Sequence, residues 1–154
     1  MTHLAAVTLD ESTLPAPSPE LDQERRIAIF DLVEANTFAP KADPSGGPYN
    51  LSLTLRHRRV VFALTTASGK AVEFDLPLAP LTQAIRDYHA ICASYFAAVS
   101  KAPVAEIEAL DRGRRDIHTE GARLLKEALN PHAEVDAETA RRLFTLISVL
   151  ETSL

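Results

Sequence analysis

The spacing of apolar residues changes twice along the chain. At the start, Leu4–Leu9 is short, apolar and carries β-branched Val7 and Thr8, which predicts a strand or ordered arm. Alternating prolines in TLPAPSPE then favour extended, polyproline-like backbone up to Ser18 and Pro19. These two residues suit the N-cap and first position of a helix, with Glu20 and Asp22 in its first turn. Leu21, Ala28, Ile29, Leu32 and Val33 repeat at helical spacing through about Asn36. The run TFAPKADPSGGP ends that helix in a turn-rich loop.

From Tyr49 to Leu78 the period falls to two. Leu51, Leu53 and Leu55 alternate with Ser52, Thr54 and Arg56, HRR makes a polar break, and VVFALTT reads as a second strand. ASGK supplies a turn, and AVEFDLPL is a third strand that Pro77 terminates or leaves at an edge. This is an antiparallel meander with one wet face. Beyond Pro80 the period is helical again. Leu81, Ile85, Tyr88, Cys92, Tyr95, Phe96 and Val99 form one stripe. A helix opened by Pro103 carries Val104, Ile107, Leu110, Ile117, Leu124, Leu125 and Ala128, and Asn130-Pro131 closes it. Asp136 is a suitable N-cap for a last helix with Leu143, Ile147 and Leu150 inward. The fold class is α+β: a three- to four-stranded antiparallel sheet packed against helices, with a helical C-terminal half. Segment 4–9 would supply the fourth strand, at an edge. Residues 1–154 are expected to form a single domain, with 1–19 as an arm of short strand and Pro-rich connection.

Composition narrows the function classes. Of 154 residues 46% are hydrophobic, enough for a core that needs no disulfide or metal. Cys92 has no second cysteine to bridge to, which points to a reducing cytoplasm. No apolar run approaches the ~18 residues of a membrane span, and the first ten residues lack a signal-peptide pattern, so neither membrane insertion nor export is expected. The net charge of −5 lies wholly in the first fifty residues, with eight acids and three bases, while the remainder is balanced. That distribution argues against a general nucleic-acid binder, which needs a basic face. Basic Arg56-His57-Arg58-Arg59 at a hairpin tip reads as a solvated turn. HExxH, GxSxG, GxGxxG and paired CxxC motifs are all missing, so no catalytic residues, metal or cofactor are assigned.

One segment breaks the rule of apolar stripes. Positions 110, 114, 117, 121 and 124 share a helix face, so Arg114 stands where an apolar residue is expected. Its stem should be buried and its guanidinium paired with a carboxylate, because a lone buried charge costs at least several kcal/mol, on the order of 5. His118 follows Arg114 by one turn and Asp111 precedes Arg115 by one. Asp111, Arg114, Arg115, His118 and Gly121 are therefore the candidate binding residues. They could hold a small carboxylate or phosphate, or form a structural polar network with Gly121 at a helix crossing. A non-enzymatic interaction or regulatory protein is the leading reading. Arg112, Arg115, Arg123, Arg141 and Arg142 are its candidate contacts, and homo-oligomerisation is open. A small-anion-binding protein or enzyme using Arg114 and His118 is the alternative.

Five segments in order, ERRIAIFDLVEANTF, GGPYNLSL, DYHAICASYFAA, DRGRRDIHTEGA and ARRLFTLISVL, resemble the uncharacterised protein family numbered 0262, small proteins of alphaproteobacteria. The resemblance spans nearly the whole chain, and GRRDIHTEG is its most specific part. The family pattern has Asn where this chain has Thr119. It implies a cytoplasmic bacterial protein of α+β fold and carries no catalytic residues across. It also implies an association with cell-shape control through the actin-like cytoskeleton, with a filament protein as partner.

Overall fold

The computed structural model describes residues 2–11 and 18–152, so most of the expected polyproline-like arm lies outside the described residues. Strand β1 (Leu4–Leu9) is followed by helix α1 (Pro19–Glu34), β2 (Phe38–Pro40), β3 (Tyr49–Arg56), β4 (Arg59–Thr65) and β5 (Ala71–Pro77). A 3-10 turn at Ala79–Leu81 opens helix α2 (Thr82–Ala98), and α3 (Val104–Leu129), β6 (Ala133–Val135) and α4 (Ala137–Leu150) complete the order. The caps are the residues expected. Ser18 accepts a hydrogen bond from the Leu21 amide at 3.2 Å, and Asp136 accepts one from Thr139 at 2.9 Å.

The main sheet runs β1-β3-β4-β5. Its last three strands form the expected antiparallel meander, and β5 is an edge strand ending at Pro77. The first strand takes the other edge but lies parallel to β3, so the sheet is mixed rather than antiparallel throughout. A connection of nearly forty residues with a helix inside it can return a strand in either direction, and strand patterning carries no directional signal. A register shift between Leu4 and Ala6 puts both Leu4 and Val7 on the buried side. The side chain of Asn36, just past α1, ties the helix to this strand. Its Oδ1 accepts from the Leu4 amide at 2.7 Å and its Nδ2 donates to the Leu4 carbonyl at 3.0 Å.

Three further expectations change. The loop after α1 contains a strand, because Phe38–Pro40 pairs with Ala133–Val135 in a second, two-stranded sheet. Three residues are too few to display a period of two, yet Phe38, Ala133 and Val135 are all buried. Helix α4 is not amphipathic in its second half: every residue from Leu143 to Leu150 is buried, as a helix apolar nearly all round must be. Finally, Val33, Val99 and Val104 keep the expected helical spacing but stand exposed. The apolar residues of α1 serve two faces. Ala28 and Leu32 point to the core, while Ile27, Phe30 and Val33 point to solvent.

The β3–β4 turn is a two-residue loop in which His57 and Arg58 have φ of 52° and 60°. Positive φ at both central positions favours Asn-Gly, and each ordinary side chain there costs about 1 kcal/mol. Replacing the pair by His57→Asn with Arg58→Gly is therefore expected to raise stability by about 1–2 kcal/mol in chemical denaturation.

Candidate functional site

Helix α3 meets two partners along its length. Around Gly113 it faces Ile91 of α2, and around Gly121 it crosses α4 at Phe144. The close crossing is a matter of size: a Cβ at Gly121 would lie 2.3 Å from Phe144 Cζ. The candidate residues are arranged along this double contact.

Arg114 donates through Nη2 to Asp111 Oδ1 at 2.8 Å and through Nη1 to Glu24 Oε1 of α1 at 3.5 Å. Its guanidinium carbon stands 4.3 Å from the centre of the Tyr95 ring, so the slot on the apolar stripe is filled by a cation over an aromatic face. The side chain is half-buried, and its nearest acid belongs to its own helix, one turn back. The hydrogen bond from Arg114 holds the Asp111 carboxyl below the usual range, and Arg115 adds a longer contact at 3.5 Å. Asp111, Arg114 and Arg115 thus form one ion-pair cluster, extended to α1 by Glu24.

His118 turns to α4 instead. Its Nε2 lies 3.0 Å from the Arg141 carbonyl oxygen and 2.8 Å from Thr145 Oγ1. A carbonyl can only accept, so Nε2 carries the hydrogen and donates to it. The ring packs against Tyr88 and Phe144 at centroid distances of 5.1 and 5.9 Å. Burial, and then the positive charge of Arg141, pull its pKa down to about 4, which leaves it neutral near pH 7.

Beside this network, α1, α2 and α4 leave a cavity of about 540 Å³. Glu24, Tyr88, His89, Cys92 and Thr145 supply polar groups to its wall, and neither Arg114 nor His118 lines it. The Tyr88 hydroxyl donates to Glu24 Oε2 at 3.0 Å, and His89 donates through Nε2 to the Ser148 carbonyl at 2.7 Å. Burial pushes the Cys92 thiol up to about 11, and burial with the nearby Glu24 charge raises Tyr88, so both keep their protons at neutral pH. Glu24 was readable in the sequence: it falls between Leu21 and Ala28 on the inward face of α1. The cavity itself joins three segments far apart in the chain.

The five candidate contact arginines differ in what holds them. Arg123 is clasped by Glu120 and Glu127 on its own helix, and Arg142 reaches Asp31 and Glu138. Arg141 donates to the Thr119 hydroxyl at 3.2 Å, Arg115 contacts Asp111, and Arg112 is exposed.

Fold and site together define an α+β protein whose helical layer, laid against a mixed sheet, forms a partly open cavity with polar and apolar walls. The chain belongs to the uncharacterised protein family UPF0262, whose model matches residues 1–153. It is similar to UPF0262 proteins of Jannaschia sp. (strain CCS1), 55% identical over 97% of both chains, and of Ruegeria sp. (strain TM1040), 52% identical over 97% of this chain and 98% of the relative. A relative from Paracoccus denitrificans (strain Pd 1222) is 52% identical over 96% of this chain and 94% of its own. No solved structure matches. Among the described residues no helix is long and apolar enough to cross a membrane.

Proposed function

We propose that this chain is a cytoplasmic interaction protein whose docking face is the outer side of α1, and that a second copy of the chain occupies it. The observation that carries this reading is the stripe of Ile27, Phe30 and Val33, exposed at 50%, 67% and 43%. Three large apolar residues in successive helical steps on one solvent face are a patch, not scattered surface hydrophobes. A shallow groove runs beside them, with Arg25 and Arg26 at one end and Glu34 at the other.

The order of charges selects the occupant. Arg26 stands four residues before Phe30 and Glu34 four residues after it. Two α1 helices packed antiparallel about a two-fold axis through Phe30 bring Arg26 of each copy against Glu34 of the other, and Ile27 against Val33. Arg26 is held within its own helix by Asp22, at 2.9 Å through Nε, and its side chain is largely exposed. With one helix from each copy, the interface belongs to the small class of under about 1,200 Å² in total, where weak and transient association is usual. The alternative of a small anion held by Arg114 and His118 finds both groups engaged by Asp111, Glu24, the Arg141 carbonyl and Thr145.

Sedimentation equilibrium tests the proposal. The native chain is expected to show a reversible rise from one to two chain masses with concentration. Phe30→Glu, at an exposed position that leaves the core untouched, is expected to weaken association at least about 100-fold, because a charge then sits on the axis against its own copy. A native chain that stays monomeric to several hundred micromolar on that scale, or a Phe30→Glu chain that associates equally well, overturns it. A cytoskeletal filament protein bound on the same stripe by a monomeric chain is the competing outcome.

A further inference from the structure

The cavity between α1, α2 and α4 has a chemistry that the interaction reading leaves unused. Along α2 its wall passes from Tyr88 and Cys92, beside Glu24, to Phe96 and Ala97 two turns later. Eight residues of helix cover about 12 Å, close to the length of an extended eight-carbon chain. Leu21 and Val149 add apolar surface from the other two helices. The site thus sets the Glu24 carboxylate and the Tyr88 hydroxyl beside apolar wall, with Ser18, Glu20, Ser148 and Thr152 adding polar groups elsewhere on its lining, and its volume accommodates a small organic molecule.

Its charge is equally one-sided. Among the described residues the carboxylates on the wall are Glu20 and Glu24, and no lysine or arginine lines it. Glu24 is only loosely neutralised from behind. The Arg114 nitrogen nearest to it is 3.5 Å away, while the same guanidinium gives its 2.8 Å bond to Asp111. One Glu24 oxygen accepts from the Tyr88 hydroxyl, and among the described residues the remaining acceptor capacity of the carboxylate has no short donor. His89, also on the wall, spends its Nε2 hydrogen on the Ser148 carbonyl. A half-buried carboxylate whose cation stands 3.5 Å away and is shared with Asp111 is stabilised further by a ligand cation with donor hydrogens, and a ligand carboxylate in its place would meet like charge.

We infer that this cavity binds an amphiphilic amine, with its ammonium head on Glu24 beside Tyr88 and its apolar body along Phe96, Ala97 and Val149. Three probes of equal chain length separate the head-group chemistries: octylamine, octanoate and 1-octanol, each titrated into the full chain and followed by backbone amide chemical shifts. Octylamine is expected to shift the amides of Cys92, Ala93, Ala97 and Val149 and to bind at least about tenfold more tightly than octanoate, with octanol between them. Glu24→Gln is expected to remove the preference for the amine while octanol binding persists. Because Glu24 also bonds Tyr88 and Arg114, a second variant guards the test: Ala93→Phe, at an exposed position on the cavity wall, fills the space and is expected to block all three probes. Octanoate binding as tightly as octylamine, no shifts at probe concentrations up to about 10 mM, or shifts confined to the Phe30 face would each overturn the assignment. These outcomes are independent of whether the chain dimerises through α1.

Discussion

Gly121→Ala is expected to destabilise the protein by about 3 kcal/mol, net of the ~1 kcal/mol that alanine gains over glycine inside a helix. The added methyl would sit 2.3, 2.5 and 2.7 Å from three atoms of the Phe144 ring, and that ring is fully buried in α4. Neither helix can yield without disturbing the buried face of α4, which touches α1, α3 and β3. Chemical denaturation of Gly121→Ala, Phe144→Leu and the double variant checks the cause: the smaller side chain should accommodate the methyl and recover at least about 1.5 kcal/mol relative to additivity. A loss below about 0.5 kcal/mol for Gly121→Ala would mean that the helices do not approach this closely. Gly113, in the same helix, should respond with the opposite sign. Its Cβ would stand 3.4 Å from Ile91 Cδ1, a contact a flexible side chain can accept, so Gly113→Ala should stabilise by up to about 1 kcal/mol.

The second large effect concerns acid. His118 has a folded pKa of about 4 against 6.5 for the free side chain, so between these values the unfolded chain binds the proton and the folded chain does not. A depressed pKa gives stability that is present above 6.5 and is lost as pH falls towards 4. At pH 5 this residue alone removes about 2 kcal/mol relative to pH 7.5. Carboxylates such as Asp111, held low by Arg114, withdraw stability only nearer their own lower pKa. His118→Gln keeps an amide donor for the Arg141 carbonyl and cannot take up the proton. Urea titrations at pH 7.5 and pH 5 should therefore show the difference between the two pH values shrinking by about 2 kcal/mol in the variant. An unchanged pH dependence would place His118 in water, not against Tyr88 and Phe144.

The meander of β3, β4 and β5 was legible because Leu51, Leu53 and Leu55 display a period of two with one face in solvent. The helix starts at Ser18 and Asp136 were legible because capping is chemistry between neighbours in sequence. What escaped depends on distant partners. The parallel alignment of β1 with β3 is decided by the crossover through α1, and β2 and β6 are too short to declare themselves before they pair. Arg114 was visible as an anomaly on its stripe, and Asp111 lay at the right spacing to hold it. Glu24, ninety residues earlier, became its second partner only in the folded chain. The cavity wall gathers side chains from three helices, each of which reads as ordinary core or surface. The outer stripe of α1 was hidden for another reason: Val33 fits the helical spacing of the inner face, so the two faces merged into one pattern.

The two-fold pairing of α1 is tested most directly by exchanging its charges. Arg26→Glu leaves two acids on each copy of the stripe, and Glu34→Arg leaves two bases, so each variant alone should be monomeric at concentrations where the native chain is dimeric. Mixed in equal amounts, the two should form a heterodimer, because position 26 of each copy then faces a side chain of opposite charge at position 34 of the other. Sedimentation of the separate variants and of the mixture measures this in one experiment. Two monomers that combine on mixing are the expected result. Variants that dimerise alone as the native chain does, or a mixture that stays monomeric, would contradict the antiparallel register about Phe30.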